Sequence, residues 1–146
     1  MALHILFHFG YQDDARAESA WAHAIQAVHA DPDRLDCPTE DIACCAGAVK
    51  LLKALLQRDT DDRTTADEGA IDILCNYLVK QNWAWQGEHS GWMLSRFPRF
   101  YDVDIIELCH VLSETSYRTS STCETVARQM LTLQDAGHPV VLYTVG

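Results

Sequence analysis

The chain has 146 residues, 48% of them hydrophobic and 22% charged, a mixture typical of folded globular domains and far from that of disordered chains. Aspartate and glutamate total 21 against 11 lysines and arginines, and the formal charge of -10 excludes a nucleic-acid backbone or an anionic membrane surface as a direct partner. Since one domain usually occupies about 100–200 residues, we predict a single globular domain over residues 1–146.

Each end of the chain carries a short apolar segment typical of a β-strand. Residues 3–9 are apolar and aromatic and stop at Gly10. Residues 140–145 are rich in β-branched side chains and follow Pro139. We expect these two segments to pair in a small sheet, which needs helices packed on it to persist.

Helical periodicity fills the sequence between these two segments. The carboxylate of Asp13 or Asp14 is expected to cap the first helix, because it accepts hydrogen bonds from the first backbone N–H groups. This helix is expected to end at Asp31, which precedes Pro32. Its apolar stripe, at spacings of four and three, consists of Trp21, Ile25 and Val28.

The second and third predicted helices have long apolar stripes. Thr39 is expected to cap the second, since a hydroxyl favours that position. The stripe of the second helix consists of Ile42, Cys45, Val49, Leu52, Leu55 and Leu56. Thr65 and Glu68 stand at capping-box spacing and are expected to begin the third. The stripe of the third helix consists of Ile71, Leu74, Cys75, Leu78 and Val79.

Two further helices are predicted before the last strand. One begins near Asp104, and its stripe consists of Ile105, Leu108, Cys109 and Leu112. The other begins at Ser121, which stands at capping-box spacing from Glu124, and stops at Gly137. The predicted fold class is therefore α+β, mostly α, with about five helices packed on a small sheet formed by the N- and C-terminal strands.

No sequence motif indicates catalysis or metal binding. Residues 87–91 place a serine fourth between two glycines, whereas a nucleophile elbow needs it third. The acidic segment from Asp59 begins like a calcium loop, but Thr64 replaces the required glycine and Ala70 the final glutamate. The CxxC and HExxH spacings of zinc sites do not occur. We predict no catalytic residue, no metal site and no cofactor.

Residues 83–101 concentrate aromatic side chains in a segment without helical or strand periodicity. Two interpretations stay open, because aromatic and arginine side chains are enriched at binding hot spots, while tryptophans also anchor irregular segments to a core. The candidate contact residues of this segment are Arg96, Arg99 and Phe100.

The acidic residues are clustered along the chain. Clusters that share one face of a protein complement a basic surface on a partner, whereas scattered clusters contribute only solubility. The acidic residues predicted to contact a partner are Asp31, Asp33 and Asp36 in one cluster and Asp59, Asp61 and Asp62 in another.

The first functional hypothesis is an inhibitor without enzymatic activity that occupies a basic surface of a partner protein, including a surface that binds nucleic acid. Phage anti-CRISPR and other anti-defence proteins, and immunity proteins against nuclease toxins, share this small, acidic profile in physical class and not in sequence. Such a nucleic-acid mimic would bind its partner protein and not nucleic acid or membrane. Residues 3–9 are too short, and too interrupted by histidine, for a signal peptide, so we expect a cytoplasmic protein.

Two alternatives belong to other classes. A small enzyme would assemble a dispersed site in which one of four histidines acts as a base or ligand beside a carboxylate. These histidines are His4, His8, His89 and His110. A scaffold or assembly subunit would instead carry a large exposed apolar patch.

Overall fold

The computed structural model describes residues 2–11, 13–35, 45–81 and 105–135. The chain divides into two compact units, Met1–Gln81 and Asn82–Gly146, and the prediction of a single domain stays a prediction. The α-helices in the described ranges are α1 (Ala2–His8), α2 (Ala15–Ala30), α3 (Ala46–Leu56), α4 (Thr65–Lys80), α5 (Ile105–Ser113) and α6 (Ser121–Asp135). Short 3-10 turns cover Thr60–Asp62 and Ser116–Thr119. None of the described helices is long and apolar enough to cross a membrane.

The predicted α+β fold is wrong, because the segment expected to form the N-terminal strand is helix α1 and the described ranges contain no β-strand. Its predicted partner, residues 140–145, lies outside the described residues. A short apolar run does not distinguish strand from buried helix. As a helix, the segment forms its hydrogen bonds internally and packs on α3 and α2. The described part of the chain is helical.

Gly10 ends α1. Its φ of +77° lies in the left-handed region, which glycine adopts without steric cost. The N–H of Tyr11 donates to the carbonyl of Leu6 at 2.9 Å, the hydrogen bond of a Schellman motif. Gly10 therefore ends a helix, and not the strand that was predicted to stop there.

The boundaries and the buried stripe predicted for α2 are confirmed by the structure. Asp14, one of the two expected caps, is the N-cap, and its carboxylate accepts from the N–H of Arg16 at 2.9 Å. Asp31 is the C-cap, as predicted. The buried side chains of α2 are Ala17, Trp21, Ile25 and Val28.

Helix α3 begins at Ala46, later than predicted, and its N-cap is Cys45. The expected cap, Thr39, lies outside the described residues, as does Ile42. Leu56 is only half-buried, whereas the other described residues of the predicted stripe lie in the core. Those buried residues are Cys45, Val49, Leu52 and Leu55.

Helix α4 contacts both α2 and α3 and so forms the centre of the first unit. Val79 is half-buried. The other residues of the predicted stripe are buried, namely Ile71, Leu74, Cys75 and Leu78.

In the second unit, α5 packs against α6. The predicted start near Asp104 and the side chain of Ile105 lie outside what the structure describes. Ser120, and not Ser121, caps α6: its hydroxyl accepts from the N–H of Cys123 at 3.3 Å. The cap therefore lies one residue before the predicted Ser121, and the expected Ser121–Glu124 capping box does not form. Buried side chains in these two helices include Leu108, Val111, Leu112 and Val126.

Candidate partner-binding site

The structure places five of the nine predicted contact residues, all at the surface. Those five exposed aspartates are Asp31 and Asp33, after α2, and Asp59, Asp61 and Asp62, between α3 and α4. The other four lie outside the described residues, namely Asp36, Arg96, Arg99 and Phe100.

The acidic turn, residues 59–62, connects α3 to α4 through a single 3-10 turn. The N–H of Asp62 donates to the carbonyl of Asp59 at 2.9 Å, and that of Arg63 donates to Thr60 at 3.3 Å. These bonds hold the backbone in one conformation. The carboxylates of Asp59, Asp61 and Asp62 are exposed.

Arg63 ties the acidic turn to the end of α3. Its Nη2 donates to the carbonyl of Leu56, and its Nε donates to the carbonyl of Arg58, each at 3.0 Å. Carbonyls at a helix C-terminus lack partners within the helix and attract a cation. Only 13% of the Arg63 side chain is exposed, so its charge is directed inward and not toward solvent.

Arg58, on the other side of the acidic turn, also points inward. Its guanidinium lies 5.3 Å from the centroid of the Trp21 ring, within the range of a cation–π interaction. Its Nη1 is 3.5 Å from Oδ2 of Asp67. Both arginines that flank the acidic turn therefore bind groups inside the unit and do not form ion pairs with its three exposed carboxylates.

Asp67 is the buried polar residue on which this arrangement depends, with 2% of its surface exposed. Nε1 of Trp21 donates to its Oδ1 at 2.8 Å. The N–H and the hydroxyl of Thr64 donate to its Oδ2 at 2.8 and 2.9 Å. Burial alone would raise the pKa of Asp67, but these hydrogen bonds and the nearby charge of Arg58 outweigh burial and hold the pKa below its usual value.

The capping box of α4 is formed by Thr64 and Asp67, one residue earlier than the predicted Thr65 and Glu68. The hydroxyl of Thr64 accepts from the N–H of Asp67 at 3.2 Å, and the Asp67 carboxylate accepts from the N–H of Thr64. Glu68 is exposed and lies 3.5 Å from Nη1 of Arg63. Both pairs have the spacing of a capping box, but only the earlier one places its acid beside Trp21.

Replacing Thr64 with alanine is expected to lower the free energy of unfolding by about 1–2 kcal/mol, because it removes the cap and one hydrogen bond to a buried carboxylate. The same change at exposed Thr65 is expected to alter it by less than about 0.5 kcal/mol. Urea unfolding, followed by circular dichroism, measures the free energy of unfolding of both variants. An equal loss from both substitutions would contradict the assigned capping box.

The last turn of α2 contacts the first turn of α4. Nε2 of His29 lies 2.9 Å from the carbonyl oxygen of Ala66. A Cβ built on Gly69 would lie 3.0 Å from Cε1 of His29, so glycine allows this close approach. Asp31 follows His29 by two residues and Asp62 precedes Ala66 by four. The acidic turn therefore leads into α4 near this contact, whereas Asp33 lines a cleft together with Ile73 and Lys80 of the C-terminal half of α4.

The histidines of the enzyme alternative are not assembled into a site in the described part of the chain. His8 is exposed and stacks edge-on with Phe9 at 5.6 Å. His110 is exposed on α5, with Nε2 3.3 Å from Oε1 of Glu114. The side chain of His4 and all of His89 lie outside the described residues. Among the residues described, no three His, Cys, Asp or Glu side chains form a group suited to a metal ion.

The scaffold alternative would rest on exposed apolar side chains. Around the end of α1, Ile5 is 46% exposed, Phe9 71% and Tyr11 54%. On α6, Leu131 is 62% exposed. Single exposed apolar residues are ordinary on protein surfaces, so these four carry less weight than the organised acidic turn.

Sequence reasoning did not anticipate the roles of the two arginines or of Asp67. The sequence does show Arg58 and Arg63 on either side of three aspartates, but it does not show which way a side chain points. Trp21 appears in the sequence only as part of an apolar stripe, and its hydrogen bond to Asp67 joins residues 46 positions apart.

Comparison with known proteins adds no family to this geometry. No family model matches the sequence, and neither a curated protein nor a solved structure matches the chain.

Proposed function

We propose that the chain is an acidic protein-binding inhibitor without enzymatic activity, which occupies a basic surface of a partner protein. The observation that carries the proposal is the acidic turn, in which three exposed carboxylates stand within four residues. The two flanking arginines are engaged with α3, Trp21 and Asp67.

The organisation of the acidic turn favours binding. A flexible acidic segment loses conformational freedom when it binds, and this loss opposes affinity. Here Arg63 anchors the turn to the end of α3, and the Thr64–Asp67 capping box anchors it to the start of α4. The carboxylates thus stand on a connection that is hydrogen-bonded at both ends, and such restraint lowers the entropic cost of binding.

The net charge of the chain supports the same proposal. A charge of -10 attracts a cationic surface over distances of about 10 Å at 0.1 M salt and speeds its encounter with the chain. The cluster at Asp31 and Asp33, which follows α2, adds two further exposed negative charges to the same unit. We infer that partner binding is fast and strongly dependent on salt.

The class of partner follows from this charge. A protein surface that binds nucleic acid is rich in lysine and arginine, so it complements the exposed carboxylates. The chain would act as a nucleic-acid mimic and compete with nucleic acid for that surface, as an anti-CRISPR or other anti-defence protein or an immunity protein would in physical class. Direct binding to nucleic acid or to an anionic membrane is not expected.

Neutralising the acidic turn in the triple variant Asp59→Asn, Asp61→Asn and Asp62→Asn is expected to weaken partner binding by about tenfold, since each rim charge contributes about 0.5 kcal/mol. Partners are captured from a host lysate at two salt concentrations, identified by mass spectrometry and purified. The affinity of each purified partner for the wild-type chain and for the variant is then measured by titration. A gel-shift assay measures whether the chain prevents the partner from binding nucleic acid.

The matched control removes the same net charge elsewhere, at three exposed acids outside both clusters: Asp13→Asn, Glu18→Gln and Asp72→Asn. The control is expected to retain most of the affinity, and thermal melts establish that both triple variants are folded. Equal affinities of wild type and the acidic-turn variant, or a captured partner that still binds nucleic acid in excess of the chain, would remove the basis of the proposal.

A further inference from the structure

A cleft of about 400 Å³ lies within the unit Met1–Gln81, between the segment after α2 and the C-terminal half of α4. Its size falls within the range of about 300–1,000 Å³ that is usual for small-molecule sites. Pro32, Ile73 and Tyr77 supply apolar surface to its lining. Ligand sites typically combine such a wall with a few polar groups that orient the ligand.

The described residues that line the cleft include one charge of each sign. Asp33 and Lys80 are exposed residues of this lining, and no ion pair joins them to each other or to other residues of the described ranges. Asn76 adds an exposed amide. Gln81 is already engaged, because its Nε2 donates to the carbonyl of Tyr77 at 3.2 Å. A carboxylate, an ammonium and an amide are therefore available to a ligand.

We propose that this cleft binds a compact zwitterion of the amino-acid type with an apolar side chain. The ligand ammonium pairs with Asp33, and its carboxylate pairs with Lys80 and accepts from the amide of Asn76. The apolar part of the ligand packs on Ile73 and its apolar neighbours. This inference goes beyond the proposed inhibitor function and does not depend on it.

Both charges of the ligand are needed for this fit. A cation alone would pair with Asp33 but would lie in the same cleft as the ammonium of Lys80. An anion alone would meet the carboxylate of Asp33 in the same way. A zwitterion pairs with both groups, so it is expected to bind more tightly than either singly charged analogue of the same shape.

The test uses three probes of matched shape: L-leucine, 3-methylbutylamine, which lacks the carboxylate, and 4-methylpentanoate, which lacks the ammonium. Each is titrated into the ¹⁵N-labelled full chain and followed by amide chemical shifts. Leucine is expected to shift the resonances of Ile73, Asn76 and Lys80 saturably, with a dissociation constant on the order of millimolar, as befits so small a ligand. The two analogues are expected to bind at least about fivefold more weakly.

Two variants separate the charges. Asp33→Asn is expected to weaken the binding of leucine and of 3-methylbutylamine about fivefold and to strengthen that of 4-methylpentanoate, because it also removes the charge that repels the anion. Lys80→Gln is expected to weaken the binding of leucine and of 4-methylpentanoate and to strengthen that of 3-methylbutylamine for the corresponding reason. Asp31→Asn is the control, because it removes an exposed charge two residues from Asp33 but outside the cleft lining. Absence of saturable shifts at the cleft, equal losses from Asp33→Asn and Asp31→Asn, or analogues as tight as leucine would overturn the proposal.

Discussion

Replacing Asp67 with alanine is expected to lower the free energy of unfolding by about 3 kcal/mol. The substitution leaves the indole N–H of Trp21 and the N–H of Thr64 without the acceptor they have in the native unit. It also removes the anionic partner of Arg58, whose side chain remains 29% exposed and can recover part of its solvation. Urea unfolding of wild type and variant, followed by circular dichroism, measures the loss.

Asp67→Asn tests the role of the charge at nearly constant size. The asparagine oxygen can still accept from Trp21, but its NH₂ group would face the N–H and hydroxyl donors of Thr64. We expect a loss of about 2 kcal/mol, smaller than that of alanine. A stability equal to wild type in both variants would show that the carboxylate contributes nothing to the fold.

The same residue predicts how stability depends on pH. The pKa of Asp67 is lower in the folded chain than its ordinary value of 3.8, because the bonds from Thr64 and Trp21 and the charge of Arg58 together outweigh burial. A carboxyl whose pKa is depressed by folding stabilises the native state fully above its unfolded pKa. That contribution is lost as the pH falls through the folded pKa, so wild type is expected to lose stability below about pH 4.

Unfolding free energies measured from neutral pH down to about pH 2.5 check this expectation, with the acid-induced loss smaller in Asp67→Asn than in wild type. Asp14→Asn is the control. Hydrogen bonds from the side chain and backbone of Arg16 also lower the pKa of Asp14, but this carboxyl is at the surface and its contribution is screened by solvent. Identical pH dependence in wild type and Asp67→Asn would contradict the assignment.

Replacing Leu74 with alanine is expected to lower the free energy of unfolding by about 3 kcal/mol, because it removes buried methyl groups and leaves a cavity. Leu74 is 1% exposed on α4, the helix that contacts both α2 and α3. The loss is measured by the same urea titration. Because three closely packed helices meet here, neighbouring side chains cannot move far enough to fill the cavity.

Leu131→Ala is the matched control for this prediction. It is the same chemical change on a helix, at a side chain that is 62% exposed. Alanine also has slightly higher helix propensity, so a change within about 0.5 kcal/mol is expected. If Leu131→Ala cost as much as Leu74→Ala, the burial assigned to these positions would be wrong.

The helices with strong periodicity could be predicted from the sequence. Trp21, Ile25 and Val28 recur at helical spacing, and all three are buried on α2. The Asp14 cap also depends on local chemistry alone, because its carboxylate accepts from an N–H group in the first turn of α2. Local interactions of this kind involve residues a few positions apart, so the sequence displays them directly.

The α1 helix and the register of two caps could not be predicted in the same way. The run 3–9 is short and mostly apolar, and its period does not separate a strand from a helix that packs on α3 and α2. Adjacent hydroxyl residues occur at both displaced caps, Thr64 beside Thr65 and Ser120 beside Ser121. Each pair offers two registers with nearly equal local energy.

The acidic clusters of the candidate site could likewise be predicted, since exposed aspartates are expected wherever a polar connection joins two helices. The inward orientation of Arg58 and Arg63 could not, because it depends on carbonyls of α3 and on the Trp21–Asp67 pair. The same holds for the cleft, whose lining joins Asp33 to Lys80 across 47 positions of sequence.

The amino-acid sequence by itself therefore determined the acidic character of the surface, the helices α2 to α6 and most of their buried faces. Tertiary structure decided the helical state of α1, the capping register of α4 and the engagement of the arginines beside the acidic turn. The physical reason is the range of the interactions. Caps and periodic stripes depend on residues a few positions apart. The hydrogen-bond donors of a buried carboxylate, by contrast, are fixed only when distant helices pack together, and the same is true of the conformation of a short apolar segment.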